Sequence, residues 1–301
     1  MKHVFVKKYP FSKLAVISKF TLFIYVLLAF TSVKANVIEI RFPNNFNPAE
    51  AYILSLLDII LANSDGVKLT LVNNSTTTQG RLLKHLDNNR LDLVFMGSNQ
   101  LREKKYLPIR IPVHRGLLGY RVFLIHKDNI ALFKRISDLS SLKKLVACQD
   151  NNWPDTKILR DNGYAVTTSS LYNSLFNMLD IGRCDYFPRS IVEAYAEKNI
   201  KGAGLPNLVV FDDIILHYNM PSYFFLRKGD EETADIIRRG FLLAIEDGRF
   251  EAFFQNSDLT KHIYPLNKWE NKWYIELSSH LPSLGKDNAN IIRLDNLKEN
   301  N

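Results

Sequence analysis

Polar and aromatic side chains that could handle a small charged molecule gather at three places where an apolar run stops. In Leu171–Glu193 (LYNSLFNMLDIGRCDYFPRSIVE) a helical apolar pattern ends at Gly182, and a short strand over Cys184–Phe187 delivers Asp185 and Tyr186, then Arg189. A carboxylate, a phenol and a guanidinium at the end of a strand suit polar-solute recognition, because open α/β sheets bind ligands there. Arg189 also has Glu193 one helical turn on and could instead brace the wall by pairing with it. The second place is Gln149–Asp155 (QDNNWPD), between a strand and a helix. Backbone N–H groups and the Asn152 amide would point into the same space, with Trp153 as a flat apolar face. The plainer alternative is that Trp153-Pro154 staples the helix start and Asp155 caps it. The third is Gly97–Glu103 (GSNQLRE). Gly97 and Ser98 let a ligand approach the backbone, and Arg102 can fork onto a carboxylate or phosphate. The alternative is a solvated arginine in the basic run Arg102–Lys105.

Covalent chemistry finds little support. Ser98 lacks the second glycine of a nucleophile elbow. No pair of histidines has helical metal-ligand spacing, neither cysteine has a partner at ligand spacing, and no glycine-rich phosphate loop is present, so neither metal nor cofactor is expected. Cys148 and Cys184 both fall in short apolar strands. Adjacent strands could join them as a disulfide, and two buried thiols fit equally well.

Positioning these side chains requires alternating strands and helices. Val37–Phe42, Val67–Val72 and Leu91–Met96 read as strands. Between them lie a helix carrying Ile53, Leu56, Leu57, Ile60 and Leu61 at helical spacing and a shorter one carrying Leu82, Leu83 and Leu86. After extended runs at Leu107–Val113 and Leu117–His126, the alternation resumes with strands at Leu145–Cys148, Tyr164–Thr168 and Cys184–Phe187. Leu208–Phe211 and Ser222–Leu226 are extended again. They precede a strong helix with Ala234, Ile237, Phe241, Ala244 and Ile245 on one stripe, closed by Asp247-Gly248. Two serial α/β units with crossover helices follow from that order.

The N-terminus has a different use. Five lysines precede the apolar run Phe20–Phe30, and Val33-Lys34-Ala35 follows it with small residues at the exit. That run is too short to span a bilayer, which takes roughly 20 residues, and it fits a secretory signal peptide cut after Ala35. Its removal takes six lysines and no acids, so the net charge of +8 falls to +2, 33 basic against 31 acidic residues. A nucleic-acid partner thereby loses its electrostatic support.

Together the leader, the two α/β units and the final amphipathic helix resemble the periplasmic solute-binding proteins of family 3. The stretches Leu101–Ile125, Trp153–Tyr164 (WPDTKILRDNGY), Leu175–Glu193, Tyr218–Lys228 and Ile245–Phe250 look like one branch of that superfamily. The resemblance implies a type II periplasmic-binding-protein fold, α/β, each lobe a mostly parallel sheet flanked by helices. Its parts would be a signal peptide over 1–35, lobe one over 36–115 and 219–280, lobe two over 116–218, and a polar, loose tail over 281–301. It implies a periplasmic monomer that is not an enzyme and captures an amino-acid-like, zwitterionic or anionic solute between its lobes for a membrane permease. Arg102 would take the ligand's carboxylate and Asp185 its ammonium, with Trp153 and Tyr186 around its body. Two departures from the usual pattern bear on the ligand: Pro108–Pro112 stands where a dFS-type segment is common, and Asp150–Trp153 replaces a glycine-threonine loop. The alternatives are a sensing module acting through a membrane partner and a dehydratase-like enzyme on the same fold.

Overall fold

In the computed structural model, residues 1, 3, 37–44, 48–73, 78–280 and 290–294 are described, and the fold belongs to the unit 38–301. Nearly all of the proposed leader, with its cleavage point, lies outside the described residues, as does most of the proposed tail.

The chain begins β1 (Ile38–Asn44), α1 (Pro48–Leu61), β2 (Val67–Asn73), α2 (Gln79–Asp87), β3 (Val94–Gly97), α3 (Gln100–Lys105) and β4 (Leu107–Ile109). A 3-10 turn at Leu117–Gly119 leads into β5 (Tyr120–His126), followed by α4 (Ile130–Lys134), α5 (Leu139–Lys143), β6 (Val146–Asp150), α6 (Pro154–Asp161) and β7 (Ala165–Ser169). Then come α7 (Tyr172–Asp180), β8 (Tyr186–Ser190), α8 (Ala194–Lys201), β9 (Leu208–His217), β10 (Ser222–Leu226), α9 (Glu231–Glu246), α10 (Arg249–Asn256) and β11 (Trp273–Glu276).

Two lobes result. In the first, β1 and β2 pair in parallel while β3, β10 and β4 pair antiparallel. The Asp92 and Leu93 N–H groups both donate to the Arg41 carbonyl, which joins the two pieces through β1 and β3. Ile53, Leu56, Leu57 and Ile60 of α1 are buried against Ala234, Ile237, Phe241 and Ala244 of α9 in one core. Each such aliphatic side chain withdrawn from water contributes about 1.5–3 kcal/mol. The helices cross closely because Gly240 leaves room: a Cβ there would lie 2.1 Å from the Ile60 carbonyl oxygen.

The second lobe is a six-stranded sheet ordered β11-β9-β5-β8-β6-β7. Its β6–β7, β6–β8 and β9–β11 pairs are parallel, and β5 runs antiparallel to both neighbours. Cys148 of β6 and Cys184, just before β8, form a disulfide, so the joined-strand alternative holds. The sheet also takes in Trp273–Glu276, which pairs with β9, so the segment after 219 is not wholly lobe one. At its far end the chain is not loose throughout. Ile292 and Leu294 are buried in the first core, and the Ile292 N–H donates to the Arg115 carbonyl.

The chain crosses between lobes on either side of β11, and also just before β5 and just after β9. There the Tyr218 N–H donates to the Gly119 carbonyl, and a Cβ on Gly119 would fall 2.1 Å from the Tyr218 oxygen. Only glycine permits that approach.

Candidate ligand-binding cleft

Between the lobes lies a cavity of about 70 Å³. Gln79, Phe95, Met96 and Gly97 form its lobe-one wall; Leu118, Arg121 and Met220 come from the crossings; Trp153, Pro154, Asp155, Arg189 and Glu193 form the lobe-two wall. The carboxyl ends of β3, β6 and β8 thus converge on it, as expected of α/β sheets. Because β5 is antiparallel to β8, its first residues sit beside the last of β8, with Arg121 opposite Ser190. That register brings Arg121 and Arg189 to the same end.

Arg121 is 1% exposed. Its guanidinium pairs with Asp155 at 2.8 Å, lies 3.7 Å from Glu193 and packs over the Tyr218 ring. Asp155 Oδ1 also accepts the Tyr218 hydroxyl at 2.5 Å. Burial alone would weaken the Arg121 cation, but Asp155, Tyr218 and Glu193 hold its pKa above the ordinary value. Its Nε has no hydrogen-bond partner among the described residues. Arg189 is held by two carboxylates instead. It forks onto Glu197 at 2.7 and 2.6 Å, pairs with Glu193 at 2.9 Å, and stacks over Trp153, its carbon 4.5 Å from the ring centre. Burial, reinforced by Glu197, raises the Glu193 pKa against the pull of the two arginines.

The residues singled out in the sequence separate into three groups. Trp153 and Arg189 line the cavity, and Arg189 does pair with Glu193. Trp153 spends a face on that guanidinium. Arg102, Ser98 and Asn152 stand behind the lining. Asn99 caps α3 by accepting from the Arg102 N–H, and the Arg102 side chain folds back to donate to the Gly97 carbonyl at 2.5 Å and Gln79 Oε1 at 2.8 Å. A longer contact, 3.4 Å, reaches the Asn152 carbonyl across the cleft. Burial lowers the Arg102 pKa to about 10, which leaves it charged at neutral pH. Ser98 is fully buried and donates to Glu103. Asn152 lies in the loop held by Asp150, whose Oδ1 accepts the Asn152 N–H.

Asp185 and Tyr186, expected from the sequence to touch ligand, do not line this cavity. The strand starts at Tyr186, so both sit at its entry, while the cavity is at its exit. Four residues of strand separate Asp185 from Arg189, roughly 13 Å at the usual rise. The Asp185 carboxylate accepts the Val146 N–H at the start of β6. Tyr186 is fully buried among Phe123 and Phe133, and burial pushes its pKa far up.

Arg121, Asp155 and Glu193 form the polar heart of the cavity, and the sequence had pointed to none as a ligand contact. Arg121 carried a signal: it is the one charge inside the apolar run YRVFLI. The N-cap of α6 is Trp153, which makes no side-chain capping bond, and the Asp155 carboxylate serves the ion pair. Among the described residues no cluster suits a metal ion, and no helix is long and apolar enough to cross a membrane.

This is the fold of the two-lobed periplasmic binding proteins. Among solved structures, an ancestral arginine-binding protein bound to arginine is similar at 16% identity and a TM-score of 0.57, over 73% of this chain and 98% of that one. A probable amino-acid ABC transporter extracellular-binding protein from Bacillus subtilis is similar at 17% identity and a TM-score of 0.56, over 75% and 99%. A histidine kinase sensor domain with similarity to periplasmic binding proteins follows at 15% identity and a TM-score of 0.55, over 74% and 96%. Identities this low establish the fold alone. No protein-family profile matches the sequence, and no curated protein does.

Proposed function

We propose that this protein captures a small zwitterionic or anionic solute between its lobes, in the periplasm, and presents it to a membrane permease. The observation that carries this reading is the Arg121–Asp155–Glu193–Arg189 constellation, buried where the carboxyl ends of β3, β6 and β8 meet at the cavity. Charged groups withdrawn from water interact strongly with a charged solute and exclude apolar ones. The crossings near Gly119 and Tyr218, together with those flanking β11, would let the lobes open and close as rigid bodies. Arg102 acts in this scheme as a closure clasp, tying Gly97 and Gln79 to the Asn152 carbonyl of the opposite lobe. The leader, cut after Ala35, would export the chain.

The test is thermal unfolding of the purified mature chain against a panel of amino acids and small organic acids. At a hundred times its Kd a ligand adds about 2.7 kcal/mol. For a chain of this size that raises Tm by roughly 5–10 °C. If no compound in a broad panel shifts Tm, and none co-purifies with the protein, solute capture is wrong.

A further inference from the structure

We propose that Leu277–His280, the segment after β11, is a latch: an arm of lobe two that grips α3 of lobe one and keeps the lobes together without any solute. The inference concerns the resting conformation, so it goes beyond solute capture and stands or falls separately from it.

The arm is fixed to lobe two first. β11 pairs with β9 as far as Glu276 opposite His217, and beyond that point the Leu277 N–H donates to the His217 carbonyl at 2.7 Å. The Ser279 hydroxyl donates to the Asn219 carbonyl at 3.0 Å. Asn162, at the C-terminal end of α6, holds Ser278 from the side. Its amide nitrogen donates to the Ser278 carbonyl at 2.9 Å, and its oxygen accepts the Ser278 N–H at 3.0 Å. That two-way pair satisfies both backbone groups of Ser278, as a neighbouring strand would. The His280 ring hydrogen-bonds Asp161 of the same helix at 3.0 Å, and Leu277 is buried with Ile158 and Leu159 in the lobe-two core.

The far end of the arm meets lobe one. Gln100, the first residue of α3, donates from its side-chain amide to the His280 carbonyl at 2.6 Å. From the next turn of the same helix Arg102 reaches the Asn152 carbonyl of lobe two at 3.4 Å. The first turn of α3 therefore works as a bolt with two contacts, and the Gln100 contact is the better formed of them.

The joint between the lobes adds to the restraint. Three segments lie side by side there, with Gly119 accepting from Tyr218 and His217 from Leu277. A hinge opens through large φ/ψ changes in a few residues. Cross-bonded neighbours oppose such changes, because bending one segment breaks its bonds to the next. Opening then requires the Gln100–His280 bond to break, or the arm to peel from Asn162.

The test is the interlobe distance, read by double electron–electron resonance between spin labels on Lys84→Cys of α2 and Leu171→Cys before α7, both exposed positions. The chain carries its native disulfide, and native mass spectrometry verifies that no compound is bound. The parent chain should show mainly the short distance. Gln100→Ala should raise the ratio of long to short distances about 2- to 10-fold, the worth of one hydrogen bond. Asn162→Ala, which frees the arm from lobe two, should raise it at least as much. Gln100→Lys keeps a donor and should stay near the parent. Lys105→Ala, which loses only an ion pair to Asp87 within lobe one, should leave the distances unchanged. Gln100 is exposed and begins its helix, so Gln100→Ala should fold with its urea midpoint nearly intact. A parent chain already at the long distance, or an unchanged distribution in Gln100→Ala, would overturn the inference. So would equal opening in Lys105→Ala.

Discussion

Asp155→Asn should cost far more stability than its single lost charge suggests. Asp155 and Arg121 have side chains 4% and 2% exposed, and their ion pair of 2.8 Å is sealed from water. Asparagine keeps the volume and an oxygen for the Tyr218 hydroxyl, but it strands the guanidinium. Removing one partner of a buried pair costs about 3–5 kcal/mol, chiefly because the remaining charge is desolvated without compensation. The same helix supplies an internal control. Lys157 and Asp161 pair at 2.7 Å with side chains 69% and 36% exposed, and such a surface pair is worth about 0–1 kcal/mol. Urea unfolding of Asp155→Asn and Asp161→Asn should therefore show midpoints displaced by very different amounts at equal m-values. The double variant Arg121→Met/Asp155→Asn should recover part of the loss, since no charge is then stranded. A cost for Asp155→Asn below about 1 kcal/mol, or no recovery in the double variant, would mean that Arg121 is hydrated and that the polar heart of the cleft is not what it is taken to be.

Other consequences are simpler to check. The disulfide between Cys148 and Cys184 closes a separation of 36 residues, so the Cys148→Ser/Cys184→Ser chain should unfold about 4 kcal/mol sooner in denaturant titrations, and reductant should make no further difference to it. His114 is fully buried, its Nδ1 on Ser222 and its Nε2 without a partner among the described residues. Burial, then Arg121, lowers its pKa from 6.5 to about 3. Below pH 6.5 the unfolded chain therefore binds a proton that the folded chain refuses. Stability should fall by about 1.4 kcal/mol per pH unit from 6.5 toward 3, and His114→Gln should flatten that slope. Gly240→Ala puts a methyl 2.1 Å from a backbone oxygen of α1 and should destabilise by about 1–3 kcal/mol, visible as a lowered Tm without loss of the Phe241 side of the core.

Periodic burial made most of the fold legible. The stripes of α1 and α9 are apolar at the helical repeat, as read, and the structure packs them into one core. The short α4 and α5 span five residues each, less than two turns, and carry no measurable period. Strand β9 runs on to His217 although Asp212-Asp213 interrupts its apolar pattern. Those acids face Tyr195 and Lys272 at the surface, so an edge-facing position tolerated them. Strand β11 forms only because a distant partner, β9, supplies its ladder. At the site, Trp153 and Arg189 were legible because each sits at the exit of a strand. Asp185 was misplaced because a carboxylate near a short strand says nothing of which end faces the ligand. Arg121 was overlooked because its partner Asp155 lies 34 residues on, and only the antiparallel register of β5 on β8 shows where it points.

The most direct test of the account is a crystal structure of the mature chain grown with the compound that gives the largest rise in Tm. Closed lobes and a small solute enclosed between Gly97 and Glu193, in contact with the Arg121–Asp155–Glu193 cluster, are the expected result. A ligand bound outside the interlobe cavity, or lobes closed on it with no contact to the Arg121–Asp155–Glu193 cluster, would contradict it.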